Sequence, residues 1–208
     1  MSNSAKKIFI WVAHPKANTL NSGIADAYAA GAARQGAEIR RMDLSDMTFD
    51  LNFEGYDDPY ADNTKTAVGS GGKALEPDLL QWQANMRWAD HVMIVHPYWW
   101  GAMPTKAKAV LDRALTPGFA FKYHQRGVKW DKLLEGKTAD AIITSDTPPL
   151  LDTLLYRSPG RRVMKNQVLD FCGIKSKNIL QWGSVKLASD KKIGRWIGKA
   201  EKLGALAA

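Results

Sequence analysis

The apolar run Val92–Val95 constrains this chain more than any other stretch, because it is too short to span a bilayer and shows no helical periodicity. A central parallel strand, buried on both faces, is the economical reading. His96-Pro97 is expected to stop it, since proline cannot donate to a ladder. Tyr98, Trp99, Trp100 and Gly101 follow at the strand's carboxyl end, where open α/β sheets hold ligands. Pro104 then opens a helix with a buried stripe of Ala107, Val110, Leu111 and Ala114. Two accounts of the rings are open: a flat aromatic ligand lies against them, or they plug a loop against the core.

The same alternation recurs along the chain. Ile8–Ala13 reads as a first buried strand, and a helix with Leu20, Ile24, Ala27 and Tyr28 follows the polar loop His14–Asn21. Glu38–Leu44, interrupted by charge, suits a sheet edge. Pro77 starts a helix carrying Leu79, Leu80, Trp82 and Met86, Ala139–Thr144 is a fourth strand, and Val163, Val168 and Leu169 mark a helix closed by Gly173. Ile179–Val185 supplies a fifth strand, and Ile193, Trp196, Ile197, Ala200 and Leu203 a last helix. The expectation is one α/β domain over residues 1–208: a doubly wound five-stranded parallel sheet, order 2-1-3-4-5, with helices on both faces. Gly118–Tyr123 and Arg126–Trp130 read as a loop or hairpin laid over the site, and residues 45–76 as a surface excursion. Its VGSGGK patch, Val68–Lys73, is not a P-loop, because the spacing is wrong and no Ser or Thr follows Lys73.

In that topology the loops after strands one, three and four converge on one crevice. The first offers helix N–H groups with the Thr19 hydroxyl and the Asn21 amide, which suits a phosphate; an ordinary N-cap by Thr19 or Asn18 explains it equally well. A phosphate tail and a flat heterocyclic head describe a flavin nucleotide. No G-x-G-x-x-G follows strand one, which disfavours a dinucleotide held in the Rossmann manner. The single cysteine, Cys172, excludes an internal disulfide and reads as an inert buried thiol, and the scattered histidines imply no metal site. A net charge of +8 does not choose among partners, but a nucleic-acid binder would need a basic stripe with interleaved rings. With no signal-like or membrane-spanning run, a cytoplasmic protein without stable membrane insertion is expected.

These motifs resemble the flavodoxin-like NAD(P)H:quinone oxidoreductases, a family that includes bacterial quinone reductases and ancillary subunits of potassium-efflux transporters. The resemblance covers most of the chain and rests on three segments. They are His14-Pro15 with Thr19-Leu20-Asn21; Pro97-Tyr98-Trp99-Trp100-Gly101 with Met103-Pro104, Lys108, Asp112-Arg113 and Pro117–Phe121; and Thr144-Ser145-Asp146-Thr147-Pro148 with Tyr156 and Pro159-Gly160. The third departs from the Thr-Thr-Gly-Gly form of better-known members. The resemblance implies a bound flavin, FMN or else FAD, reduced by NADH or NADPH and reoxidised by a quinone in ping-pong turnover. Trp99 and Trp100 would wall the ring and Thr144–Thr147 address its polar edge. Tyr156 and His14 are the side-chain candidates for proton or charge management, or else satisfied structural residues; Arg157, Arg161 and Arg162 could meet a 2′-phosphate or equally cap or solvate the helix that follows. It also implies a homodimer, for which Trp99, Trp100, Phe119 and Phe121 would supply the apolar surface. The alternative is a flavin-containing regulatory subunit of a transporter.

Overall fold

The computed structural model describes residues 4–55 and 74–208, so the Val68–Lys73 patch lies outside the described residues. Five parallel strands form the main sheet: β1 (Lys7–Val12), β2 (Glu38–Asp43), β3 (His91–Pro97), β6 (Thr138–Thr144) and β7 (Lys175–Trp182), in the order β2-β1-β3-β6-β7. This is the expected 2-1-3-4-5 order once a separate antiparallel hairpin, β4 (Phe121–Tyr123) with β5 (Trp130–Lys132), is numbered.

Strand alternation sorts the core into two layers. Ile8, Ile10, Val12, Met93, Val95 and Ile142 pack towards helices α1 (Leu20–Arg34) and α7 (Asp190–Ala207). Phe9, Trp11, Val92, Ile94, Ala139 and Ala141 pack on the other face against α2 (Pro77–Trp88), α3 (Thr105–Ala114) and the helical run 159–172. That run is built of α5 (Pro159–Arg162), a π-helical stretch Val163–Leu169 and α6 (Asp170–Cys172). Gly173, at φ 92°, closes it, a left-handed position that glycine takes without a Cβ penalty. Trp82 of α2 meets Trp11 edge-on at 5.4 Å, fixing that helix on β1.

Three expectations are corrected. His96-Pro97 does not stop β3: both residues are buried and pair with Ile143 and Thr144. Tyr98 N–H donates to Thr144 O towards β6, so by alternation the donor that Pro97 lacks would face β1, whose last bond to β3 is Ala13 N–H to Val95 O. The fifth strand runs Lys175–Trp182 rather than Ile179–Val185, and Val185 begins a short 3₁₀ turn. Pro149 is the first residue of α4 (Pro149–Leu154), a position where its missing N–H costs nothing. Phe119 and Phe121 are not a surface patch. They are 5% and 6% exposed, and Phe121 lies edge-on to Phe171, with Trp130 stacked on the same ring, so the hairpin covers the end of the 159–172 helix.

Arg113 of α3 is 1% exposed and joins both borders of the excursion. Its Nη1 donates to Asp50 O at 2.6 Å and to Glu76 Oε1 at 2.7 Å, and that carboxylate also accepts from Asp50 N–H at 3.1 Å. Burial works to raise the Glu76 pKa, but the hydrogen bonds from Arg113 and from backbone N–H groups outweigh it and hold the carboxyl below its ordinary value.

Candidate functional site

The carboxyl ends of β1, β3 and β6 open into a cleft of about 190 Å³. His14, Thr19, Leu20 and Asn21 enter it from the β1–α1 loop; Pro97, Tyr98 and Trp99 from the end of β3; and Thr144, Ser145 and Asp146 from the end of β6. Val185, which follows β7 and which the sequence had placed as the last residue of the fifth strand, completes the wall.

Thr19 is the N-cap of α1, and its N–H donates to Ser22 Oγ at 3.3 Å. The helical ladder begins with Gly23 N–H to Thr19 O, leaving earlier first-turn donors without intrahelical carbonyls. Asn21 is 2% exposed, its Oδ1 accepts from the Thr144 hydroxyl at 2.8 Å, and its buried Nδ2 has no partner among the described residues. An amide donor held in one orientation, at the positive end of a helix dipole, fits an anionic or carbonyl-bearing ligand. The N-cap and the ligand account therefore coexist: Thr19 occupies the cap, while Asn21 brings the unmet donor.

His14 Nδ1 stands 3.0 Å from both the backbone nitrogen and the carbonyl oxygen of Lys16. Burial lowers the His14 pKa, more than the Lys16 backbone contact restores it. The ring meets Trp99 edge-on at 5.6 Å. Trp99 and Ala102 exchange N–H···O bonds of 2.8 and 3.0 Å around Trp100 and Gly101, whose φ angles are 50° and 78°. This is a tight turn of the I′ kind, in which both central residues take left-handed φ, uncommon for a bulky side chain. It leaves Trp100 fully exposed, at 104%, and outside the cleft, where the sequence had paired it with Trp99 as a wall. Gly101 also lies outside.

The β6 exit is largely committed within the chain. Ser145 Oγ donates to Thr147 O at 2.8 Å and accepts from Gln181 Nε2 at 3.0 Å, and Asp146 Oδ1 accepts Lys186 N–H at 2.9 Å. Thr147 and Tyr156 do not line the cleft, and Tyr156 is 56% exposed beyond α4. Arg161 does not stand free for a phosphate: its Nη2 donates to Thr153 Oγ1 and Ser158 Oγ, both at 2.6 Å. Tyr98 accepts a hydrogen bond from Gly160 N–H at 3.2 Å, and a Cβ on Gly160 would stand 2.3 Å from the Tyr98 ring. Burial raises the Tyr98 pKa, with Asp152 contributing in the same direction.

A ribosyldihydronicotinamide dehydrogenase-like protein of Penicillium crustosum is 29% identical over 155 residues, spanning 71% of this chain but only 57% of that protein. The ribosyldihydronicotinamide dehydrogenase [quinone] of Mus musculus is 26% identical over 184 residues, or 83% of this chain and 79% of its own length. Among solved structures, the NAD(P)H:quinone oxidoreductase from Methanothermobacter marburgensis shares the fold at TM-score 0.77 and 22% identity, covering 97% of this chain and 98% of that one. Residues 6–196 match Flavodoxin_2, described as flavodoxin-like fold, and the chain belongs to that family.

Proposed function

We propose that this chain is a flavin-dependent NAD(P)H:quinone oxidoreductase, taking two electrons from a reduced nicotinamide and passing them to a quinone in ping-pong turnover. The observation that carries the proposal is the unpartnered Asn21 Nδ2 beside the N-terminus of α1, at the sheet edge where this fold holds ligands. The relatives' names supply the nicotinamide and the quinone. FMN is favoured over FAD, because one helix N-terminus with one fixed amide suits a single phosphate. Bound there, the flavin supplies hydride acceptance and hydride delivery. Asn21, Thr19 and the first-turn N–H groups would hold its phosphate, and Trp99, which lines the same cleft, would contact its ring. His14, whose pKa burial lowers, brings an imidazole to the cleft rather than a second positive charge. Neither His14 nor Tyr156 is assigned a proton-transfer step, since the flavin carries the chemistry.

Release of flavin from purified protein, identified by mass spectrometry, together with NAD(P)H oxidation in the presence of a simple quinone, tests the reading. A colourless protein with no such activity would overturn it. Replacing Thr19 and Asn21 together by alanine is expected to weaken flavin retention by tens-fold or more, each lost bond to a charged phosphate being worth about 1.5 to 3 kcal/mol. Fluorescence titration of apoprotein measures this, and unchanged affinity would refute the phosphate assignment.

The homodimer is retained in the proposal with a different surface. Leu150, Leu151, Leu154 and Leu155 are 71%, 46%, 73% and 63% exposed on and just after α4, and Trp100 stands out beside the cleft. A face of this kind marks an interaction site. Leu150→Lys with Leu154→Lys is expected to give a folded monomer by light scattering, and a wild type that is itself monomeric would remove the proposal. Phe121→Asp would not serve, because that ring is buried within its own subunit.

A further inference from the structure

A second cavity, about 370 Å³, lies between α3 and the helical run 159–172 and is distinct from the cleft that holds Asn21. Its lining is mainly apolar, with Ala109 and Leu111 of α3 facing Val163, Met164 and Val168 of the opposite helix. One buried polar side chain, His96, also lines it. His96, second from the end of β3 and 2% exposed, donates from Nδ1 to Pro97 O at 2.8 Å. That bond fixes the tautomer: the proton sits on Nδ1, and Nε2 is a bare acceptor, buried and without a partner among the described residues. Burial also depresses the His96 pKa to about 4, so Nε2 stays unprotonated at neutral pH.

We infer that this cavity binds a small hydroxyaromatic molecule, a phenol or hydroquinone, whose ring occupies the apolar space and whose O–H donates to His96 Nε2. A buried acceptor left unmet is costly, and the donors in the lining do not meet it: Lys108 pairs with Asp112, and Thr105 is exposed at the rim. A ligand that brings one O–H and an otherwise apolar body satisfies both the acceptor and the apolar wall. The same geometry separates oxidation states. A hydroquinone carries O–H donors, whereas a quinone presents only acceptors and would leave Nε2 opposed by a lone pair. Identifying the ligand with the quinol formed by the proposed reaction rests on that reading; the binding of a phenol does not.

The probe is therefore redox-inert. 2-Naphthol, titrated into the purified chain with its flavin content recorded, is expected to bind about tenfold more tightly than 2-methoxynaphthalene, which keeps the ring and loses the donor. In protein labelled with ¹⁵N-histidine, the His96 Nε2 resonance should move during the naphthol titration and not during the ether titration. His96→Leu should make the two ligands bind equally. Val163→Trp, which alters a half-exposed lining residue and leaves His96 in place, should weaken both. Naphthol binding that leaves the His96 signal unmoved, or a preference for naphthol that survives in His96→Leu, would overturn the inference, as would no binding at all. Because the readout needs neither nicotinamide nor turnover, a protein without flavin or quinone reductase activity can still show the site, and an active enzyme can still lack it.

Discussion

Gly204→Val is expected to destabilise the protein by about 3 kcal/mol or more, the upper range for overpacking, read as a lower midpoint in chemical denaturation. A Cβ at Gly204 would lie 1.9 Å from the Tyr28 carbonyl oxygen, and one at Gly31 would lie 1.9 Å from the Glu201 carbonyl oxygen. Both obstacles are backbone, so no rotamer change clears them, and α1 and α7 would have to separate. The sign is diagnostic. In an ordinary helix interior, replacing glycine by alanine stabilises by about 0.5 to 1 kcal/mol. Gly194 and Gly198 of the same helix have no heavy atom within 4 Å of a built Cβ, so alanine there should show that gain. If Gly204→Val instead matched the wild type, the close approach of the two helices would be wrong. The consequence reaches function, because α1 carries the N-terminus and the Asn21 amide of the cleft.

Asp140→Ala is expected to cost about 3 to 5 kcal/mol, the range for breaking a buried charged network. The carboxylate is 2% exposed, with Oδ2 accepting from Tyr28 Oη and Oδ1 accepting from Asn178 Nδ2, both at 2.8 Å. His91 Nε2 stands 3.6 Å from Oδ2 and 2.9 Å from the Tyr28 hydroxyl, and its Nδ1 meets Thr138 Oγ1 at 2.7 Å. A register shift after Ala139 sets Asn178 opposite Asp140, which is why β7 can reach the carboxylate. One side chain thus ties α1, β3, β6 and β7 together, and alanine would strand two donors. Burial alone would raise the Asp140 pKa, but the contacts from His91, Asn178 and Tyr28 prevail and lower it. A carboxyl with a depressed folded-state pKa contributes stability that is complete above its unfolded value, about 4, and is lost as pH falls through the folded value. Denaturation midpoints from pH 6 downwards should therefore fall more steeply for the wild type than for Asp140→Asn. Parallel curves would show that the carboxylate is not what the acid limb reports.

The strands could be read from sequence because a parallel strand covered on both faces must be apolar throughout, as Ile8–Val12 and Val92–Val95 are. The three loops could be read because the order of strands dictates which carboxyl ends are neighbours. What escaped has a common physical cause, dependence on partners distant in the chain. The Thr144–Asn21 bond spans 123 residues and leaves no periodic trace. Gly31 and Gly204 look like weak points in a helix until the opposing backbone is seen. Phe121 looked like surface because Phe171, the ring it packs against, lies downstream in an element whose placement no local pattern fixes. Even His96, read only as a strand terminator, gained its meaning from a helix more than sixty residues later.

The turn at Trp100 carries one more implication. Its left-handed backbone strains a bulky residue, and its fully exposed indole forgoes the burial that makes such rings favourable in a core, so on both counts the isolated chain would be better served by glycine there. The turn is a stability concession made by the single chain, which the homodimer proposed above would offset by covering the indole. Under that proposal, thermal stability of the isolated chain and affinity of the dimer should select opposite residues at this one position.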